Sequence, residues 1–205
     1  MATEFERFKT VAGRPPPREQ HPRPALAPPL DGEVVRTRDG RDLVLRPIHP
    51  DDTDALRHGF ADLTHEEVRL RFLHPMNELT EASARRLCDI DVSTEIALIL
   101  LDPANTGGPA IRAVARVYID PATLAAEFAI LVHHDFGGQG LGTLLMRRLV
   151  DACRQRGVVE IWGHVLSDNV GMLEMVAHLG FEKHGEFHEP GIVRVRLDLL
   201  AQTPG

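Results

Sequence analysis

Disulfides, long apolar runs, excess positive charge and aromatic side chains are all missing or scarce in this 205-residue chain. Its two cysteines, Cys88 and Cys153, each fall inside a helical pattern, so no disulfide framework is available and a reducing cytoplasm is the expected setting. Neither has a paired His nearby in sequence, so both are read as packing residues and not as nucleophiles. No apolar segment approaches the ~20 residues needed to cross a bilayer, and no membrane association is expected. The formal net charge of -7 argues against nucleic acid and favours cationic partners. His184 and His188 have H-x-x-x-H spacing, but they lie beside Gly185 and Pro190 without further Cys or His partners, so no metal is expected. Aromatics make up 5% of the chain, with Tyr118 the single Tyr. What is present, at 43% hydrophobic, suffices for one substantial core. Pro15-Pro16-Pro17, Pro22, Pro24 and Pro28-Pro29 preclude a regular helix near the start, where no apolar signal-peptide core occurs either. Residues 1–30 are therefore expected to form a flexible, PPII-like arm, and residues 31–205 a single domain.

Gly137-Gly138-Gln139-Gly140-Leu141-Gly142 is the most informative segment. It joins a strand-like apolar run, Ala126 to Val132, to an amphipathic helix beginning near Thr143. Glycines remove the Cβ atoms that keep a ligand from the backbone, and the following helix offers unpaired N–H groups and the positive end of its dipole. A dinucleotide fingerprint, G-x-G-x-x-G, fails because Gly138 and Gly140 are followed by Thr143, and Gly140 and Gly142 by Leu145. A nucleotide-triphosphate loop fails because Leu141-Gly142-Thr143 supplies no Lys. Two readings remain for the isolated segment, a diphosphate cradle and a plain glycine turn before a helix.

The flanking pattern narrows that choice. Leu141, Leu144, Leu145, Leu149, Ala152 and Cys153 share one helical face while Arg147, Arg148, Asp151, Arg154 and Arg156 share the other, and Gly157 is placed to end the helix. A β-rich run, Val158 to Leu166, and a second helix, Asn169 to Leu179 closed by Gly180, follow. Upstream, Glu33 to Ile48 reads as a hairpin around Asp39-Gly40, Pro50 to Leu73 as helices, and Thr80 to Cys88 as a further helix. Glu95 to Leu101, Ala110 to Ile119 and Leu124 to Val132 read as an antiparallel meander leading to the glycine loop, and Ile192 to Leu199 as the last strand.

This order of strand, glycine loop, helix, strand and helix resembles the GNAT superfamily of acyl-CoA-dependent N-acyltransferases. Its pyrophosphate loop reads Gln/Arg-x-x-Gly-x-Gly/Ala, matched here by Gly140-x-Gly142, with Gly137 standing where a Gln or Arg is usual. Asn169 and the closing His178-Leu179-Gly180-Phe181 also match. Within that superfamily the chain is similar to the acetyltransferase domain of bacterial protein lysine acetyltransferases of the Pat type. Leu45-Arg46-Pro47-Ile48 with Asp51-Asp52, Arg71-Phe72-Leu73, Asp89-Ile90-Asp91, Glu95-Ile96-Ala97-Leu98 and Ala126-Glu127-Phe128-Ala129 carry that likeness, which spans Val44 to Leu200. The resemblance implies an α+β, GNAT-like fold: a central, mixed, mostly antiparallel sheet of about seven strands flanked by helices. It also implies acetyl-CoA as cosubstrate, held by Gly137, Gly138, Gln139, Gly140, Leu141, Gly142, Thr143 and Asn169, and by backbone groups of Ile130, Leu131 and Val132 near a strand bulge. Ser167-Asp168-Asn169 is equally a helix-capping sequence.

Attack of an amine on a thioester needs the amine neutral, so a base must take a proton from an ammonium of pKa ~10.4. Strand alternation sets Glu127 among Ala125, Ala129 and Leu131, an apolar face on which desolvation raises a carboxyl towards the range of a working base. In the resembling family a Glu at this position is the base; a Glu on an exposed strand edge, or one paired with an Arg such as Arg116, is the structural alternative. The family's Tyr acid falls on Val176, so a Tyr acid is not expected there, and a thiolate of pKa ~8.5 leaves unaided. His164 lies in the strand after the glycine helix, either facing the acceptor or packed in the core. The expected activity is acetyl transfer to a primary amine, a protein lysine foremost. The alternatives are a small amine, such as a polyamine or amino sugar, and a catalytically silent acyl-CoA sensor.

Overall fold

Central strands that are apolar on both faces demand cover on both sides, and that requirement organises the molecule. A computed structural model describes residues 32–73, 78–183 and 191–200. The expected proline-rich arm, and His184 and His188, lie outside the described residues. The strands are β1 (Glu33–Arg36), β2 (Asp42–Pro47), β3 (Glu95–Asp102), β4 (Ala110–Ile119), β5 (Ala125–Val132), β6 (Glu160–Leu166), β7 (Glu182–Lys183) and β8 (Ile192–Asp198). The helices are α1 (Thr53–Ala61), α2 (His65–Phe72), α3 (Glu81–Cys88), α4 (Leu141–Gln155) and α5 (Val170–His178). All eight strands form one sheet in the order β1-β2-β3-β4-β5-β6-β8-β7. The eighth strand beyond the expected seven is β7, whose two residues are too short to carry a periodic signal.

Alternation along β3 distributes its side chains between two cores. Ile96 and Leu100 join α4 and the Phe128–Phe181 pair on one side, while Ala97, Ile99 and Leu101 join Ala55, Leu56, Ala84 and Cys88 of α1 and α3 on the other. Where Leu100 faces Ala113 and Leu101 faces Ile111, Arg112 is the extra residue of a bulge. The bulge turns Ile111 to the α1 side although the odd-numbered Ala113, Ala115 and Val117 face α4. On α4, Leu145, Met146 and Leu149 have no solvent exposure, and at ~1.5–3 kcal/mol for each buried side chain this stripe is the main tie between helix and sheet. Arg46 on β2 binds Asp52 through two bonds of 2.7 and 2.6 Å, and Asp52 also accepts from the His49 amide at 2.7 Å. The Arg46 and Asp52 motif residues thus lock the entry to α1 with a buried ion pair.

One strand pair departs from the antiparallel rule. β5 and β6 run parallel, joined through α4, and pair only from Ala125–Glu160 to Glu127–Trp162. Beyond Glu127 the two strands separate, and α4 begins at the open end of the gap. Among the described residues no helix is long and apolar enough to cross a membrane.

Candidate active site

The gap between β5 and β6 opens into a cavity of about 1240 Å³ whose wall also includes α2, α3 and the start of α4. Of the residues expected to act as base or to hold acetyl-CoA, all but Gln139 line it. The far half of β5 has β4 on one side and no strand on the other, so alternate backbone groups of Ile130, Leu131 and Val132 open into the cavity. No register shift interrupts β5 against β4; the sheet's bulge lies at Leu100/Leu101 instead, so these groups are exposed by strand separation and not by a bulge.

Gly138 and Gly140 adopt φ of 70° and 81°, a region that side chains strain to enter, and an added Cβ on Gly138 would meet nothing within 4 Å. Gly140 is the N-cap of α4, which starts two residues before the expected Thr143. Thr64, Thr80 and Asn169 cap α2, α3 and α5 with their side chains, whereas α4 has no side-chain cap and no acidic residue in its first turn. Its first amides are thus open donors at the positive end of a 15-residue helix, the donor set a diphosphate requires. Asn169 lines the cavity and accepts from the Met172 amide at 3.1 Å, so its capping function is realised. The Gln139 side chain instead turns outward, accepting from the Arg38 amide at 3.0 Å and donating to Asp39 at 3.2 Å.

Glu127 sits at the narrow end, with a side chain 14% exposed and Tyr118 opposite it on β4. Its neighbour across the gap is His164, whose Nδ1 lies 3.7 Å from the carboxylate. Arg71, on α2, is the third charged group here: burial pushes its guanidinium down to about 9, with repulsion from Arg116 adding to this and attraction to Glu127 opposing it. Arg116 is likewise lowered, chiefly by burial, and donates to the Leu87 carbonyl at 2.9 Å. Arg116 stands opposite Ala129, and its ionic neighbour is Glu95, so it leaves Glu127 to Arg71 and His164. Five residues of strand at ~3.3 Å each separate Glu127 from Val132 by ~16 Å, the reach of an extended arm between thioester and diphosphate.

Val176, at the expected position of an acid, is 1% exposed and belongs to the core. Cys88 and Cys153 are buried, and burial pushes both thiols up to about 12, which leaves them inert. Glu67, His133 and His134 bring ligand atoms within 4.8 Å of one another, a grouping invisible in the sequence because α2 supplies the carboxylate. That carboxylate is already occupied, accepting from the His134 amide at 2.6 Å and from Thr64 at 2.7 and 2.8 Å. Arg71 and Arg38 are the residues of the cavity wall whose roles the sequence concealed; Arg71 was visible only as part of the Arg71-Phe72-Leu73 likeness.

Residues 65–181 match the Acetyltransferase (GNAT) family. Acetyltransferase Pat of Mycolicibacterium smegmatis is 28% identical over 146 residues, covering 71% of this chain and 43% of that protein. The chain therefore spans less than half the length of that relative. The solved GNAT domain of S. lividans PAT superposes with a TM-score of 0.71 at 27% identity, covering 82% of this chain and 96% of that domain. The spermidine N-acetyltransferase of Vibrio cholerae, solved in complex with CoA and spermine, shares the fold with a TM-score of 0.60 at 18% identity, covering 76% of this chain and 95% of that one. An uncapped glycine-led helix at the open end of a split sheet, a sequestered carboxylate at its closed end and a family match over more than half the residues agree: this chain belongs to the GNAT family of acetyltransferases.

Proposed function

We propose that this protein transfers an acetyl group from acetyl-CoA to a primary amine, a protein lysine foremost, by direct attack with Glu127 as the base. The observation that carries this reading is the placement of a cavity-lining carboxylate, Glu127, ~16 Å along β5 from Val132, which lies beside an uncapped helix N-terminus. Glu127 would take the first proton of the incoming ammonium; the nitrogen then forms its bond to the acyl carbon as the carbon–sulfur bond breaks, and its second proton passes to the departing thiolate, giving the amide and the free thiol. The bound cosubstrate supplies the activated acyl group. The thiolate, of pKa ~8.5, needs no dedicated acid, consistent with Val176 in the core. Backbone donors of β5 would hold the pantetheine arm and polarise the thioester carbonyl. Holding amine and thioester together contributes the larger share, up to roughly 7–11 kcal/mol in ideal cases.

Glu95 and Asp120 in the same wall favour a cationic acceptor over an anionic one. The likeness to Pat-type domains favours a lysine in a protein. A small amine such as a polyamine is the second reading, supported by the fold shared with the spermidine enzyme. Calorimetry with acetyl-CoA, followed by acetyl transfer to acyl-CoA synthetase proteins and to a panel of small amines, tests both. Self-acetylation adds little background, because Lys9 and Lys183 are the only lysines. Absence of binding to any coenzyme A ester would overturn the reading entirely. A cytoplasmic location is proposed from the absence of a disulfide framework, with both thiols free.

A further inference from the structure

We propose that Arg38, at the tip of the β1–β2 hairpin, supplies the cationic side-chain contact to the cosubstrate diphosphate that the glycine loop itself lacks; this rests on the reading that acetyl-CoA binds along β5. Gly137, at the head of the loop, offers no side chain, and the loop's Gln139 is turned away from the cavity. Nothing in residues 137–143 carries positive charge. A cation arrives from about a hundred residues upstream instead.

The hairpin tip is built to hold it there. Thr37 and Arg41 close the turn through the bonds Thr37 N–H to Arg41 O at 2.8 Å and Gly40 N–H to Thr37 O at 3.0 Å. Arg41 then anchors the turn to the loop: it donates to the Asp135 carbonyl at 2.6 Å and its guanidinium lies 3.7 Å above the Phe136 ring. Gln139 grips the same turn from the other side, through Arg38 N and Asp39. With the backbone fixed at both ends, the Arg38 guanidinium reaches over the loop. Its Nη1 donates to the Gly138 carbonyl at 3.2 Å, and its Nη2 is 4.0 Å from the point a Cβ on Gly140 would occupy. Arg38 lines the same cavity as Gly137, Gly138 and Gly140.

The local charges leave this cation available. Asp39, the nearest carboxylate in the hairpin, is bound by Arg41 at 2.5 Å, and hydrogen bonds from Arg41 and then Thr37 hold it well below the usual carboxylate range. Glu67 serves Thr64 and His134, and the Asp135 carboxylate lies 3.4 Å from His134 Nε2. Arg38 has no carboxylate partner among the described residues. A guanidinium bonded only to carbonyl oxygen, beside open helix amides, has donors to spare for two phosphate oxygens.

Titration calorimetry with acetyl-CoA on the wild-type chain, R38A and R38K tests this. R38A should weaken binding about tenfold, equivalent to ~1.4 kcal/mol. R38K should fall between the two, and the gap between R38A and wild type should narrow as salt is raised to 1 M, where exposed charges are screened. The ratio of kcat/KM for acetyl-CoA to that for S-acetylpantetheine, which carries no phosphate, should drop by the same factor in R38A. That ratio is independent of the folded fraction. R38A affinity within twofold of wild type, or an equal loss with S-acetylpantetheine, overturns the assignment of Arg38 alone; a wild-type chain that binds no coenzyme A ester overturns the underlying function.

Discussion

Glu127→Gln is nearly isosteric, so it keeps the wall of the cavity while removing both the proton affinity and the charge of the carboxylate. The side chain is only 14% exposed, and its ionic surroundings are His164 at 3.7 Å and Arg71, so bulk water offers no ready substitute as proton acceptor. General-base catalysis contributes ~10²–10⁴ in rate, or ~2.7–5.4 kcal/mol, and kcat/KM should fall by that factor. Affinity for acetyl-CoA should stay within about twofold, because the proposed diphosphate site lies beyond Val132, ~16 Å away along the strand. The pH profile gives the sharper test. A lysine amine of pKa ~10.4 is neutral in roughly one molecule per thousand at pH 7.4 and one in ten at pH 9.4. Without a base, turnover must follow that neutral fraction, so the deficit of the variant should shrink by about a hundredfold over those two units. Acetyl transfer to a lysine peptide, measured by free thiol release across this range with a thermal melt as control, supplies the data. Parallel profiles for the two proteins, or a variant retaining a third of wild-type turnover, would refute a base at Glu127.

Three further outcomes follow from the structure. Asp52→Ala strands Arg46 in the core and should destabilise the fold by about 3–5 kcal/mol in urea unfolding, whereas Asp52→Leu combined with Arg46→Met should recover most of it. His133 is 2% exposed and its Nδ1 accepts from the Asp135 amide, so burial, and then Arg112, hold its pKa below the ordinary 6.5. The unfolded chain takes up that proton first, so melting temperature should fall as pH drops below 6.5, and His133→Gln should remove that part of the slope; a slope that survives belongs to another group. Gly163→Ala would set a Cβ 2.6 Å from the Phe128 ring, which should destabilise by about 1–3 kcal/mol and weaken acetyl-CoA binding as the ring shifts towards the cleft. Unchanged affinity would show that the ring does not shape the site.

Elements with a clear period were legible. The 3.6-residue stripe of α4 and the alternation of β3, β4 and β5 appear where the apolar pattern puts them, and the positive-φ glycines punctuate the expected turns. The candidate site was legible where it is local: the loop, the helix after it and the strand before it are continuous in sequence and line one cavity. What escaped is tertiary. The bulge at Arg112 reverses an alternation that looks regular in the sequence, and only the pairing partner reveals it. Arg71 reaches Glu127 from α2, and Arg38 reaches Gly138 from a hairpin, across separations for which a single sequence has no periodic signal. Gln139 sits inside the loop motif, yet its amide is used to dock that hairpin.

The separation of β5 from β6 explains why these parts work together. A paired parallel strand would saturate the alternate amides of residues 128–132 that β4 leaves free; here pairing ends at Glu127–Trp162, and the next residues, Phe128 and Gly163, meet as ring against bare backbone. Phe128 also packs edge-on to Phe181 at 5.4 Å, which fixes the ring where the strands part. Unpaired amides buried without a partner would be costly, but along a cavity they face water that a ligand can replace. The split also grades the surroundings. At its closed end the Glu127 side chain is largely withdrawn from solvent, with His164 and Arg71 as its charged neighbours. At its open end Gly137, Gly138 and Gly140 are exposed, and under the proposed function a multiply charged diphosphate would keep part of its hydration there while helix amides and Arg38 take up the rest. Under the proposed function, this one departure from regular pairing would separate the charge-binding step, at the exposed end, from the proton-transfer step, at the sequestered end.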